Sequence, residues 1–164
     1  MPLRTQYLLL IIIAALLAAC GSVSRRIAAP PMVAGSVRAD AANAVLFRAI
    51  ALVGIPYRYG GNTPQTGFDC SGLVGYVFRD AAGVALPRTA AGMSRLPARD
   101  LSVSALQSGD LVFFKEGRHI SHVGIYVGNH RFVNAPNEGG TVRLDSLDNR
   151  WWRAHFAYGK RVLD

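Results

Sequence analysis

Cysteine is scarce in this chain: two in 164 residues, Cys20 and Cys70. No Cys/His pair stands at the spacing of a zinc site, and His119 and His122 have no further ligand cluster nearby, so no metal centre is expected. Acidic residues are also few, 10 against 18 Lys and Arg, for a net charge of +8. The basic residues are scattered and include no block of five, which argues against nucleic-acid binding. A diffuse positive surface suits an anionic polymer or an anionic membrane, and equally an ordinary solvated surface. No internal repeat is present. The one long apolar run, Leu8–Ala19, is short for a membrane-spanning helix. The length allows one domain with a real core and not two of ordinary size.

That apolar run follows a single positive charge, Arg4, and ends Leu17-Ala18-Ala19-Cys20-Gly21. Small residues directly before a Cys, behind a charged segment, resemble a bacterial lipobox, in which Cys20 is lipidated and becomes the first residue of the mature chain. The alternatives are an ordinary signal peptide cut near Ala19 or an N-terminal membrane anchor. The expected organisation is therefore a signal peptide over 1–19, a lipidated Cys20 with a flexible tether over 20–39, and one domain over 40–164. Gly21 after the Cys, where Asp would retain the protein in the inner membrane, points to the outer membrane of a Gram-negative cell, with the domain facing the periplasm. Export permits disulfides. A lipidated Cys20, however, leaves Cys70 without an intramolecular partner, and a leftover thiol in an exported protein asks for a reason.

Within the domain, Asp40 is a plausible helix cap, and Val45, Leu46, Ala49, Ile50, Leu52 and Val53 recur at helical spacing until Gly54 and Pro56. Tyr57–Asp69 is turn-rich. From Ser71, apolar Leu73, Val74, Val77, Phe78 and Ala81 define one buried helix face, with Gly83 as the stop. Pro87–Ser108 is irregular, with room for one short helix. Strands are expected at Leu111–Phe114, His122–Val127, Arg131–Ala135, Thr141–Leu144 and Ala157–Val162, and a short helix at Leu147–Ala154. Helices first and strands afterwards predict an α+β domain with an antiparallel sheet.

Cys70 stands at the start of the second helix. A thiol there feels the positive end of the helix dipole, which favours the nucleophilic thiolate, although an isolated Cys is more commonly a small buried hydrophobe. A catalytic Cys needs a base and a group to orient it. On strand alternation, Val123, Ile125 and Val127 face a core, while His122, Gly124 and Tyr126 share the other face, with Gly124 leaving space for a substrate or another side chain. With a three-residue loop at Gly128-Asn129-His130, Gly124 pairs with Asn134, which then lies diagonal to His122 and can accept its second N–H; a two-residue loop would flip Asn134 to the opposite face. Asn134 is equally a turn-initiating residue at a strand end.

Several segments together resemble the NlpC-type family of bacterial cell-wall cysteine endopeptidases: Pro56-Tyr57-Arg58-Tyr59-Gly60-Gly61, Asp69-Cys70-Ser71-Gly72, Leu86-Pro87-Arg88, Gly109-Asp110-Leu111-Val112-Phe113-Phe114, Ser121-His122-Val123-Gly124-Ile125-Tyr126 and Phe132-Val133-Asn134-Ala135. The resemblance implies a papain-like α+β fold with Cys70 as nucleophile, His122 as general base and Asn134 where many members carry a second His. It also implies that Tyr57 sits near the nucleophile, where its hydroxyl and the Cys70 N–H could stabilise an oxyanion. Asp69 is expected to cap the helix or fix the loop, and as an anion it opposes thiolate formation. The implied substrates are peptidoglycan stem peptides, cut at D-glutamyl–diaminopimelate or, favoured by the lipoprotein context, at the diaminopimelate–D-alanine cross-link. No cofactor is implied, a monomer is the default, and a regulatory protein is left open. A non-catalytic, lipid-anchored wall-binding module and an acyltransferase on a related thiol scaffold are the competing classes.

Overall fold

The computed structural model describes residues 34–137 and 139–163. The expected signal peptide, Cys20 and most of the tether lie outside the described residues. Helix α1 (Ala34–Ala51) starts well before Asp40, which sits within it and is not its cap. Residues 34–39 carry no apolar period and include Gly35 and Ser36, which are poor helix formers, so neither spacing nor propensity marks this start in the sequence. Val45, Ala49 and Leu52 enter the core, whereas Ile50 and Val53 remain exposed.

A two-stranded ribbon, β1 (Asn62–Thr63) with β2 (Gly67–Phe68), leads into helix α2 (Cys70–Ala82). Asp69 caps this helix by accepting from the Gly72 N–H, and Gly83 closes it at φ +67°, donating its N–H back to the last turn. That left-handed φ is readily available to glycine. Leu73, Val74, Val77 and Phe78 are fully buried, so one face of α2 is core. The irregular stretch that follows holds a one-turn helix, α3 (Ala90–Met93), an edge strand, β3 (Asp100–Leu101), and a 3-10 turn at Val103–Ala105.

The main sheet contains β3, β4 (Leu111–Glu116), β5 (His119–Gly128), β6 (Arg131–Asn134), β7 (Arg143–Ser146) and β8 (Phe156–Lys160), with helix α4 (Arg150–His155) between the last two. Its order is β3-β8-β4-β5-β6-β7, and every pairing is antiparallel. The architecture is α+β, as the element order predicts. The three C-terminal elements lie one to three residues from their expected starts; for α4 the reason is Asn149, which accepts from the Trp151 and Trp152 N–H groups and sets where the helix begins.

Both faces of the sheet are covered. Leu111, Phe113, Val123, Ile125 and Val133 join α1 and α2 in the main core. Val112, Phe114, Tyr126, Phe132, Leu147 and Trp152 form a second cluster on the other face. The space beside Gly124 is accordingly filled by a side chain: a Cβ there would press on the Phe132 ring and the Val133 carbonyl.

The β5–β6 connection differs from the expected loop in an instructive way. The turn has two residues, Asn129 and His130, both at positive φ (50° and 55°), and Gly128 pairs with Arg131. This is the backbone of a tight hairpin turn. A register shift then falls between Tyr126 and Gly128, so that Tyr126 pairs with Phe132 and Ile125 with Val133. The extra residue at Val127 restores the register expected from a three-residue loop and returns Asn134 to the His122 face.

Candidate active site

Cys70 reaches its position through the Asp69 cap. The Asp69 carboxylate accepts from Gly72 N–H (2.7 Å), Gly60 N–H (3.0 Å) and the Ser71 hydroxyl (3.2 Å). Arg88 closes around it, with Nη1 2.9 Å from Oδ1, Nη2 2.7 Å from Oδ2, and further bonds to Ser71 Oγ and the Gly61 carbonyl. Burial alone would raise the Asp69 pKa, but Arg88 and the Gly72 N–H overcome it and hold the carboxyl below its usual range. Asp69 thus performs both expected tasks, capping the helix and fixing the loop. Gly72 permits the close approach, since a Cβ there would run into the Gly61 carbonyl. Arg88 as the partner of Asp69 was not legible in the sequence beyond its place in Leu86-Pro87-Arg88. A charged side chain in that apolar, Pro-bearing loop is the one signal that could have drawn attention to it.

His122 comes from β5 beside a second irregularity. Phe114 pairs with His122 but Lys115 pairs with Ile120, so Ser121 is the extra residue of a bulge. Bulges re-aim side chains, and they concentrate beside active sites. The His122 ring is buried, 5.3 Å from the Trp152 ring and 5.9 Å from Phe114. Its Nε2 lies 3.0 Å from Asn134 Oδ1. Asn134 is fully buried and donates from Nδ2 to Asp145 (2.9 Å), with a longer bond to the Arg143 carbonyl. The expected His–Asn contact is therefore present; Asp145, on β7, is a partner that the β5–β6 register alone could not indicate.

Two clefts hold the two halves of the site. One cleft of about 570 Å³ contains Cys70, Tyr57, Asp69, Arg88 and Ser121. A second, of about 510 Å³, contains Ser121, His122, Asp145, Trp151 and Trp152. Ser121 lines both, so the cleft that holds Cys70 and the cleft that holds His122 adjoin at that residue. Tyr57 lines the first cleft and also packs against the main core, combining the expected place near Cys70 with the ordinary role of an aromatic at a loop start. Of the other histidines, His130 in the hairpin turn pairs with Asp148, and His155 stacks on Trp151. His119 is exposed at the start of β5.

Electrostatics modify the thiolate expectation. Burial raises the Cys70 pKa and the Asp69 charge raises it further, while the backbone N–H groups of Val123, Ser71 and Cys70 pull in the opposite direction without prevailing. Burial also lowers the His122 pKa to about 4, against opposing contributions from Asn134 and Asp145. Both shifts disfavour charge, so the resting pair is a neutral thiol and a neutral imidazole. Among the described residues no hydrogen bond joins the Cys70 sulfur to the ring, whose Nδ1 is free of hydrogen bonds. Apo catalytic hydrogen bonds are often loose.

Similarities to known proteins agree with this geometry. The chain is 45% identical over 114 residues to Murein DD-endopeptidase MepH of Escherichia coli K12, covering 68% of this chain and 42% of that protein. It is 42% identical over 121 residues to Bifunctional muramidase/DL-endopeptidase CwlT of Bacillus subtilis 168, covering 72% and 36%. The chain thus spans about two fifths of the length of these curated relatives. The crystal structure of an NlpC/P60 family protein from Bacillus cereus ATCC 10987 superposes with a TM-score of 0.70 at 26% identity, covering 75% of this chain and 40% of that one. The NlpC/P60 family model matches residues 54–161, a segment that holds Tyr57, Cys70, His122 and Asn134 in one continuous stretch, and the chain belongs to that family.

Proposed function

We propose that this protein is a cysteine endopeptidase of peptidoglycan peptides. The observation that carries the proposal is the pair of adjoining clefts, one holding Cys70 at a helix N-terminus and the other a buried His122 whose Nε2 is held by Asn134. With Nε2 engaged by an acceptor, Nδ1 is the basic nitrogen. His122 takes the proton of the Cys70 thiol as its sulfur attacks the amide carbonyl. The Cys70 N–H and the Tyr57 hydroxyl stabilise the resulting oxyanion. His122 then returns the proton to the leaving amine, and water releases the acyl group from sulfur. Because both shifts favour the neutral forms, proton transfer accompanies the attack on the carbonyl instead of preceding it.

The similar proteins are named for different bonds, DD for MepH and DL for CwlT. We favour the diaminopimelate–D-alanine cross-link, supported by the identity with MepH and by the lipoprotein signal at Cys20. Digestion of purified muropeptide dimers tests this choice. Conversion of dimers to monomers supports it, whereas stem peptides shortened within one strand assign the D-glutamyl–diaminopimelate bond instead.

The lipobox-like Leu17-Ala18-Ala19-Cys20 supports lipid anchoring in the outer membrane, with the domain facing the periplasm. Incorporation of an alkyne fatty acid into the wild-type chain and not into Cys20→Ala is the expected result; equal incorporation would remove the anchor.

A further inference from the structure

We propose that Asp145 is a positioning residue that sets the tautomer of His122 by fixing the orientation of the Asn134 amide. The proposal rests on His122 acting as the base, and it concerns which of its nitrogens is basic. Asn134 is fully buried and stands between His122 on one side and Asp145 with the Arg143 carbonyl on the other. An amide can be turned end for end with little change of shape, so its direction follows from its partners. The partners here are unequal. A carboxylate and a backbone carbonyl can only accept, and both lie against one end of the amide, at 2.9 and 3.4 Å. That end must be the NH2 group. Oδ1 then faces His122 Nε2 at 3.0 Å, and because this oxygen can only accept, Nε2 must carry the hydrogen.

A neutral imidazole with hydrogen on Nε2 keeps its lone pair on Nδ1. Turning the amide would set Oδ1 against two acceptors inside the protein and present NH2 to Nε2, forcing the hydrogen onto Nδ1. Buried acceptor–acceptor contacts of this kind are costly, so the amide stays as it is. Asp145 is in turn held by Arg143, whose Nε donates to the same Oδ2 at 2.8 Å. Sheet pairing supplies the geometry, since Asn134 pairs with Arg143 and Phe132 with Asp145 across β6 and β7. The chain of contacts therefore runs from Arg143 to Asp145, Asn134 and the His122 ring. Its output is the location of one hydrogen.

The test is the tautomer itself, read from long-range nitrogen–proton correlations of the protein labelled with 15N-histidine near pH 7. The wild type is expected to show His122 with hydrogen on Nε2. Asp145→Ala removes the nearer of the two acceptors and leaves only the Arg143 carbonyl at 3.4 Å, so a population of His122 with hydrogen on Nδ1 should emerge. The turnover number on muropeptides should fall about 10–100-fold, on the scale of losing the partner that orients a metal-bound histidine, with KM nearly unchanged. Asp145→Asn keeps an oxygen that can accept from Asn134 and should restore the wild-type tautomer and most of the turnover. Asp145→Ser, whose oxygen falls short of Asn134, stands in if the alanine variant does not fold. A folded alanine or serine variant that keeps hydrogen on Nε2 overturns the proposal. Because the tautomer is read without substrate, an inactive wild type would refute the peptidase assignment and leave this test intact.

Discussion

His122 is 8% exposed and its pKa is lowered by burial from 6.5 to about 4, which ties the stability of the fold to pH through one ring. In the unfolded chain the imidazole takes its proton near pH 6.5; in the native site it resists until about pH 4. The contribution is therefore intact above pH 6.5 and is lost progressively as pH falls from 6.5 toward 4. Below that both states are protonated and no further loss accrues. The whole gap corresponds to about 3 kcal/mol, and most of it is expressed by pH 4.5. Against a total stability of about 5–15 kcal/mol for a typical domain, that is a large fraction. The assay is urea unfolding followed by circular dichroism at pH 7.5 and 4.5, for the wild type and for His122→Gln. The variant controls for other titrations. Asp69, with a lowered pKa, loses its own contribution mainly as pH falls below 3.8, and does so in both proteins. The wild type should lose about 2–3 kcal/mol more than the variant between the two pH values. Equal losses would refute the claim that the ring is buried neutral.

Other expectations follow from the loop around Cys70. Asp69→Asn retains an oxygen to cap α2 but removes the charge beside the thiol, so the pH midpoint of Cys70 alkylation by iodoacetamide should move downward; an unchanged midpoint would mean the carboxylate does not act on the sulfur. The wild-type thiol should alkylate slowly at neutral pH, so slow labelling alone does not distinguish a peptidase from a passive binding module. Gly72→Ala drives a methyl group into the Gly61 carbonyl and should displace the Cys70 turn, lowering the melting temperature and turnover together; a variant normal in both would show that the loop yields freely.

Much of this site was legible in the sequence because local rules agree with one another there. Asp69 before an amphipathic run and Gly83 after it define α2, and the alternation of β5 separates His122 from the core-facing Val123 and Ile125. The register that brings Asn134 to His122 was also legible, although the molecule achieves it with a two-residue turn and a bulge at Val127. Less was legible where structure depends on contacts distant in sequence. The two-residue strands β1, β2 and β3 are too short to show a period, and the start of α1 carries neither an apolar period nor a run of strong helix formers. Arg88 and Asp145 act through partners that only the folded chain assembles. The thiolate expectation considered the helix dipole and gave Asp69 its opposing sign, but the burial that leads the Cys70 shift is not visible in a sequence.

The proposed activity stands on attack by Cys70 at a peptide bond of the cell wall. Mass spectrometry of muropeptides incubated with the wild-type protein and with Cys70→Ala tests it directly. The wild type should release new fragments that differ from their parent by hydrolysis of one amide bond, and the variant none. No new fragment from a folded wild type, or the same fragments from both proteins, would contradict it.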